Sequence, residues 1–224
     1  MMRVSSMIRA DQIAAVLQAR VNPEAGYEDD VCIYVKPHVS KGGDFNFVGR
    51  SPYLDIVDGW GLLPVMERHP EVPIIACSKK DQEILSKRVK NRVLFIPQHH
   101  CNFERVKRTR SGVTTVGVIG TAGAFPFLPK GLKETLAGRG INLVEFSQFF
   151  KREDIINFYL NIDIQLVWRP YRKRLANPLK LVNAASFGIP TIALREDYFD
   201  AEFDECYFPV NNIAEFLYHL DWLK

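Results

Sequence analysis

One glycine- and lysine-bearing loop, one arginine- and lysine-rich stretch and one histidine and carboxylate combination carry the residue types suited to chemistry in this 224-residue chain. The stretch GTAGAFPFLPKGL, residues 120–132, follows an apolar run. Gly120 and Gly123 let backbone come close to a ligand, Thr121 offers a hydroxyl, and Lys130 with Gly131 opens a helix pattern whose N-terminus favours an anion. It is neither a dinucleotide fingerprint nor a Walker motif, so an ordinary loop is the plainer reading. The stretch RPYRKRLANPLK, residues 169–180, crowds Arg169, Arg172, Lys173, Arg174 and Lys180 after another apolar run, with Asn177 between them. A charge run is most often a solvated face, but a run at the carboxyl end of a buried strand sits where an open α/β sheet binds phosphate. Nearer the start, HVSKGGDFNF (38–47) supplies His38 and Lys41 beside a Gly-Gly pair that suits a mobile polar loop, and Asp58 ends an apolar run. Asp58 and His38 are the side chains suited to accept a proton; read plainly, they are a cap and a surface residue. Trp60 would stack on a sugar or, as is commoner for a lone aromatic, cover the core.

The elements that must position these residues alternate along nearly the whole chain. Strand patterns fall at 31–36, 53–58, 72–77, 92–97, 114–120, 141–146, 162–168 and 190–194. Helix patterns fall at about 8–20, 60–68, 79–89, 130–138, 151–160, 176–187 and 211–222. Continuous apolar strands separated by helices predict parallel sheets covered on both faces. Ser78 is placed to cap the helix after it, and Gly188 followed by Ile-Pro stops the helix that begins near Asn177. Within that helix Lys180 and Asn183 stand three apart, which predicts one shared face. The segment 101–113 is polar, basic and without apolar periodicity, so it reads as a linker. The resulting expectation is an α/β chain of two Rossmann-like domains facing a cleft: 1–104, a linker at 105–112, and 113–224.

Composition narrows the classes. With 47% hydrophobic and 25% charged residues the chain can bury sizeable cores, and a net charge of +3 is too weak to favour duplex nucleic acid. Cys32, Cys77, Cys101 and Cys206 have no CxxC spacing, which suits reduced thiols in the cytoplasm. His99, His100 and Cys101 are adjacent, so an extended backbone would point them to opposite sides, and no metal site is expected. The sequence has no run of 18 apolar residues, and its opening MMRVSSMIRADQIAAVLQAR lacks the apolar centre of a signal peptide. Contact with a membrane surface stays open.

Two segments resemble the GT-B glycosyltransferases of the family 4 type. VPIIACSKKDQEILSKRVKNRVLFIPQHHCNF (72–103) is similar to the end of their acceptor domain, where a strand, a helix and an IPNGVD strand lead into the interdomain linker. KLVNAASFGIPTIA (180–193) is similar to their KLLEAMACGxPVIA, and GTAGAFPFLPKGL echoes a GR...KG loop. The resemblance spans residues 72–212 and implies an acceptor domain followed by a nucleotide-sugar domain. The lysine of the loop is kept as Lys130 and its arginine is Thr121. The glutamate that holds the donor ribose is replaced by Asn183, and the one that faces the sugar by Leu175.

The resemblance implies a hexosyltransferase that moves a sugar from a nucleotide-sugar donor to a saccharide, lipid-linked or other hydroxyl acceptor. Gly120, Thr121, Lys130, Arg169, Arg172, Asn177, Lys180 and Asn183 would line the donor side, with no cofactor beyond the nucleotide diphosphate sugar itself. The absent glutamates support a second reading, a catalytically silent module that binds a nucleotide, glycan or protein partner. A third reading uses ERVKRTR (104–110) and RPYRKR (169–174) to hold a sugar phosphate or nucleic acid.

Overall fold

The computed structural model describes residues 7–109, 111–170, 175–203 and 205–224. These fall into two compact units, each built on its own all-parallel sheet. One unit holds residues 7–98 with 175–178; the other holds the described residues of 99–170 and 179–224.

The first unit orders its strands as they occur in the chain: β1 (Val31–Val35), β2 (Ser51–Asp55), β3 (Ile74–Ala76) and β4 (Val93–Phe95). A π-helical turn at Met7–Gln12 runs into α1 (Ile13–Leu17), which ends where Gln18 turns left-handed, so the helix expected over 8–20 is shorter and starts in the wider π form. A 3-10 turn at Trp60–Leu62 leads into α2 (Leu63–Arg68), and α3 (Lys79–Arg88) follows β3. The Ser78 hydroxyl accepts from Asp81 N at 3.0 Å, the cap that the sequence predicts. Asp81 is itself buried and its Oδ1 accepts from Ala176 N at 3.2 Å. Next to it Leu175, 2% exposed, joins Leu54, Ile56, Met66, Ile74 and Leu85 in the unit's core.

The second unit contains β5 (Thr115–Ile119), β6 (Asn142–Phe146), β7 (Ile164–Val167), β8 (Thr191–Leu194) and β9 (Phe208–Val210), in spatial order β6-β5-β7-β8-β9. Its helices are α4 (Leu132–Ala137), α5 (Arg152–Leu160), α6 (Leu179–Ser186), α7 (Asp197–Phe203) and α8 (Ile213–Leu223). Val116, Ile164, Leu166, Ile192, Phe216 and Leu220 form the centre of its core. Gly117 is a packing requirement: a Cβ there would stand 2.5 Å from Ile162 Cγ2 and 2.8 Å from Phe158 Cζ. Strand β9 and helix α7 go beyond the sequence expectation, because a three-residue strand containing Pro209 and an acidic seven-residue helix both lack a readable period.

The domain boundary differs from the one read from composition. Residues 99–109 cluster with the second unit, so the break between units falls at 98/99 and residues 105–109 of the expected linker are bonded into that unit. Its polar groups look unstructured in sequence because they bond backbone carbonyls rather than follow a helix or strand period. Asn102 Nδ2 donates to Ser186 O at 2.7 Å, Arg108 N donates to Phe187 O at 3.2 Å, and Arg108 Nε pairs with the buried carboxylate of Asp163 at 2.7 Å.

Candidate functional site

The order of the second sheet marks the place where open α/β sheets bind ligands. Taken in chain order it reads second, first, third, fourth, fifth, the doubly wound arrangement whose connections diverge between its first and third strands. Those strands are β5 and β7, and the crevice beyond their carboxyl ends is bounded by Gly120, which follows β5, and by Trp168 and Arg169, which follow β7.

Lys180, in the first turn of α6, reaches this crevice. Its Nζ lies 3.4 Å from where a Cβ on Gly120 would stand, an ordinary contact distance that sets the ammonium group beside the end of β5. Thr121 is exposed and precedes the 3-10 turn Ala122–Phe127, with its carbonyl accepting from Ala124 N at 2.9 Å. Lys130 is exposed, and Gly131 beside it takes the left-handed conformation that starts α4. Arg169 is matched within the unit: Nε donates to Glu196 Oε1 at 2.9 Å, its Nη2 meets Oε2, and both side chains are 13% exposed. A planar fork held this way is ordered, with its charge already balanced. Arg172 lies outside the described residues. Asn177 belongs with the first unit, in the segment 175–178.

Below α6 runs a chain of buried polar groups that the sequence reading missed. The Tyr159 hydroxyl donates to Gln165 Oε1 at 2.7 Å. Gln165 Nε2 in turn donates to Lys180 O at 3.0 Å and to Thr191 Oγ1 at 3.2 Å. Asn183 hydrogen-bonds the Tyr159 phenol, and its Oδ1 accepts from Cys101 N at 2.9 Å. Burial pushes the Tyr159 phenol well above its usual range and the Cys101 thiol up to about 12, so both are neutral hydrogen-bonding or packing groups here. Gln165 in the middle of the apolar run IDIQLVW was the available signal, since an amide in a strand covered on both faces must find partners inside.

This corrects the reading of Asn183. At 3% exposure its amide is turned into the unit, where it ties the 99–109 segment to α6, and it does not share Lys180's outlook. Residues three apart on a helix differ by about 60° around its axis, enough to put one on the crevice and the other in the core. Leu175, at the other family glutamate position, is a core side chain of the first unit.

In the first unit, Asp58 pairs with Lys36, and the two are brought together by residues in the left-handed region: Lys36 itself at φ 44 and Val57 at φ 53. A β-branched residue is strained there, and such strain is stored mostly at sites where geometry matters. His38 is exposed. The loop expected to be mobile is fastened instead. The Asp44 carboxylate meets Arg68 and His69, Arg68 Nη2 donates to Gly43 O at 2.6 Å, and Phe45 and Phe47 pack edge-on against Tyr34. The hydrogen bond from Arg68 holds the Asp44 carboxyl down at about 2. A buried pair, Arg9 with Asp55 at 2.5 Å, ties the N-terminal turn to the end of β2, and Arg9 Nη1 also donates to Pro97 O at 3.0 Å. Among the described residues there is no cluster of three metal-ligating side chains, and no helix is long and apolar enough to cross a membrane.

No family model and no curated protein matches this sequence. Among solved structures, a chain of the glycosylation associate protein (Gap123) complex from Streptococcus agalactiae is similar, with a TM-score of 0.48 and 11% sequence identity over 98% of this chain and 52% of that one. The present chain thus spans about half the length of that neighbour.

Proposed function

We propose that the second unit binds a nucleotide diphosphate sugar at the carboxyl edge of its sheet, and that the chain transfers the sugar to a hydroxyl acceptor on a glycan or lipid-linked glycan, in the two-domain manner of GT-B enzymes. The observation that carries the reading is Lys180 Nζ set over Gly120 at the switch point between β5 and β7. An ammonium group there matches a diphosphate, and charge on the leaving group is what a transferase must stabilise as the sugar–oxygen bond breaks. Thr121 and Lys130 extend the same edge, while Arg169, ordered by Glu196, is a fixed wall that gains a phosphate only by exchanging partners. Asp58 or His38 would take the acceptor proton.

A second reading, binding without transfer, is favoured by a specific observation: the two positions that carry glutamates in the resembled family are occupied here by an inward-turned amide and a core leucine. Calorimetric titration with UDP, GDP and ADP, and with their glucose conjugates, tests the shared part. We expect one nucleotide diphosphate to bind wild type and to bind Lys180→Ala about tenfold or more weakly, as loss of a charged hydrogen bond implies. Binding by none of them removes both readings. Release of free sugar or transfer to an added acceptor supports transfer; tight binding with neither supports the silent module.

A further inference from the structure

The described part of the basic stretch, ERVKRT (104–109), lies apart from the proposed nucleotide site, and the fold gives it another setting. Asn102, 1% exposed, clamps the turn that carries it: Nδ2 donates to Val106 O and Ser186 O, both at 2.7 Å, and Oδ1 accepts from Val106 N at 3.0 Å. The turn is thereby fixed beside the second half of α6, with Arg105 held in the left-handed region at φ 54. Between turn and helix lies a groove of about 480 Å³. Val182, Ala185 and Phe203 supply apolar lining, with Arg105, Lys107 and His100 around them. Lys180 is not among its lining residues, so the groove is separate from the switch-point crevice.

Among the described residues that line the groove, the charged ones are Arg105 and Lys107 and none bears a carboxylate. Glu104, the single acid of the turn, is taken by Arg152, whose Nη1 donates to Oε2 at 2.7 Å and also to Cys101 O at 3.0 Å. Arg108 is matched by Asp163. Arg105 and Lys107 have no carboxylate partner among the described residues, and both are exposed. Burial and neighbouring positive groups lower the His100 imidazole below its usual range, and its Nδ1 accepts from Asn102 N at 3.2 Å, so near neutral pH it lines the groove as an uncharged ring. An apolar trough with two unmatched cations fits a chain that offers an apolar side chain flanked by carboxylates.

We infer that this groove is a docking site for an acidic segment of a partner protein, an apolar side chain seated on Val182, Ala185 and Phe203 and its carboxylates on Arg105 and Lys107. Labelled short peptides alternating leucine with glutamate, and matched peptides alternating leucine with lysine, test it by fluorescence anisotropy on the full chain. The expected result is binding of the glutamate peptides that weakens with added salt, falls about tenfold or more in an Arg105→Glu/Lys107→Glu variant and equally in Ala185→Glu, and is absent for the lysine peptides. Unchanged melting curves and unchanged nucleotide titration in these variants confine the loss to the groove. The inference is overturned if no glutamate peptide binds, or if the charge-reversed variant binds as wild type does. Preferential capture of phosphatidylserine vesicles or oligouridylate over the peptides also overturns it, by assigning the cations to a membrane or to nucleic acid.

Discussion

Lys180 and Asn183 occupy neighbouring positions on α6, and substituting each should separate binding from stability. Lys180 points its ammonium group at the switch-point crevice, so alanine there should weaken nucleotide diphosphate binding while the melting curve stays within about 0.5 kcal/mol of wild type. Asn183 is buried on Cys101 N and the Tyr159 phenol, so Asn183→Ala leaves two buried polar groups short of a partner and should cost about 1–3 kcal/mol in urea unfolding. Any nucleotide affinity should survive in the folded fraction. An Asn183→Ala protein as stable as wild type but unable to bind would reverse the assignment and return Asn183 to the ligand.

At the scale of elements, β5 depends on a residue that has no side chain. Ile162 and Phe158 press on Gly117, so Gly117→Ala should destabilise the second unit by about 1–3 kcal/mol through overpacking. By contrast Gly120→Ala, three residues on, would meet the Lys180 amine at 3.4 Å and Ala124 Cβ at 4.0 Å, ordinary contact distances, and should leave stability nearly unchanged. The 99–109 segment supplies a pH test. The hydrogen bond from Arg152 holds the Glu104 carboxyl at about 2, below its ordinary 4.5. A group lowered on folding stabilises the native state above its ordinary range, and that contribution fades as the pH falls toward the lowered value. Wild type should therefore melt above Glu104→Gln at neutral pH, with the two curves converging as the pH falls from 4.5 toward 2. The gap should be small because the carboxylate is half exposed. A gap independent of pH would show that the pair contributes nothing through ionisation.

For the whole molecule, chain order and membership of a unit part company at residues 175–178. Leu175 follows four-fifths of the chain, yet it is buried with Leu54, Met66 and Leu85 in the first unit's core. Leu175→Ala should leave a cavity there and cost about 2–5 kcal/mol in that unit's unfolding. Trp60 reports on the first unit, and replacing Trp168 and Trp222 by phenylalanine isolates its fluorescence. A Leu175→Ala protein whose Trp60 transition is unmoved would exclude Leu175 from that core. A fragment ending at residue 98 should likewise be less stable than the same residues in the full chain, since it lacks Leu175.

The sequence by itself determined whatever depends on near neighbours. Eight of the strands, the Ser78 cap, the Gly188 stop and the basic character of 169–180 are written in local period, turn chemistry and charge. Only the tertiary structure decided which polar residues lie at the carboxyl edge of the sheet and which bond to one another. Asn183 and Lys180 look alike from the chain, but Cys101, eighty-two positions from Asn183, claims one of them, while the other sets its ammonium group beside Gly120. The polar segment 99–109 looks like a linker because its partners are carbonyls at the end of α6, and a hydrogen bond to a distant backbone leaves no period to read. Leu175 next to a basic run could not be placed either: burial of an apolar side chain is non-directional, and which core receives it is settled when the whole chain packs.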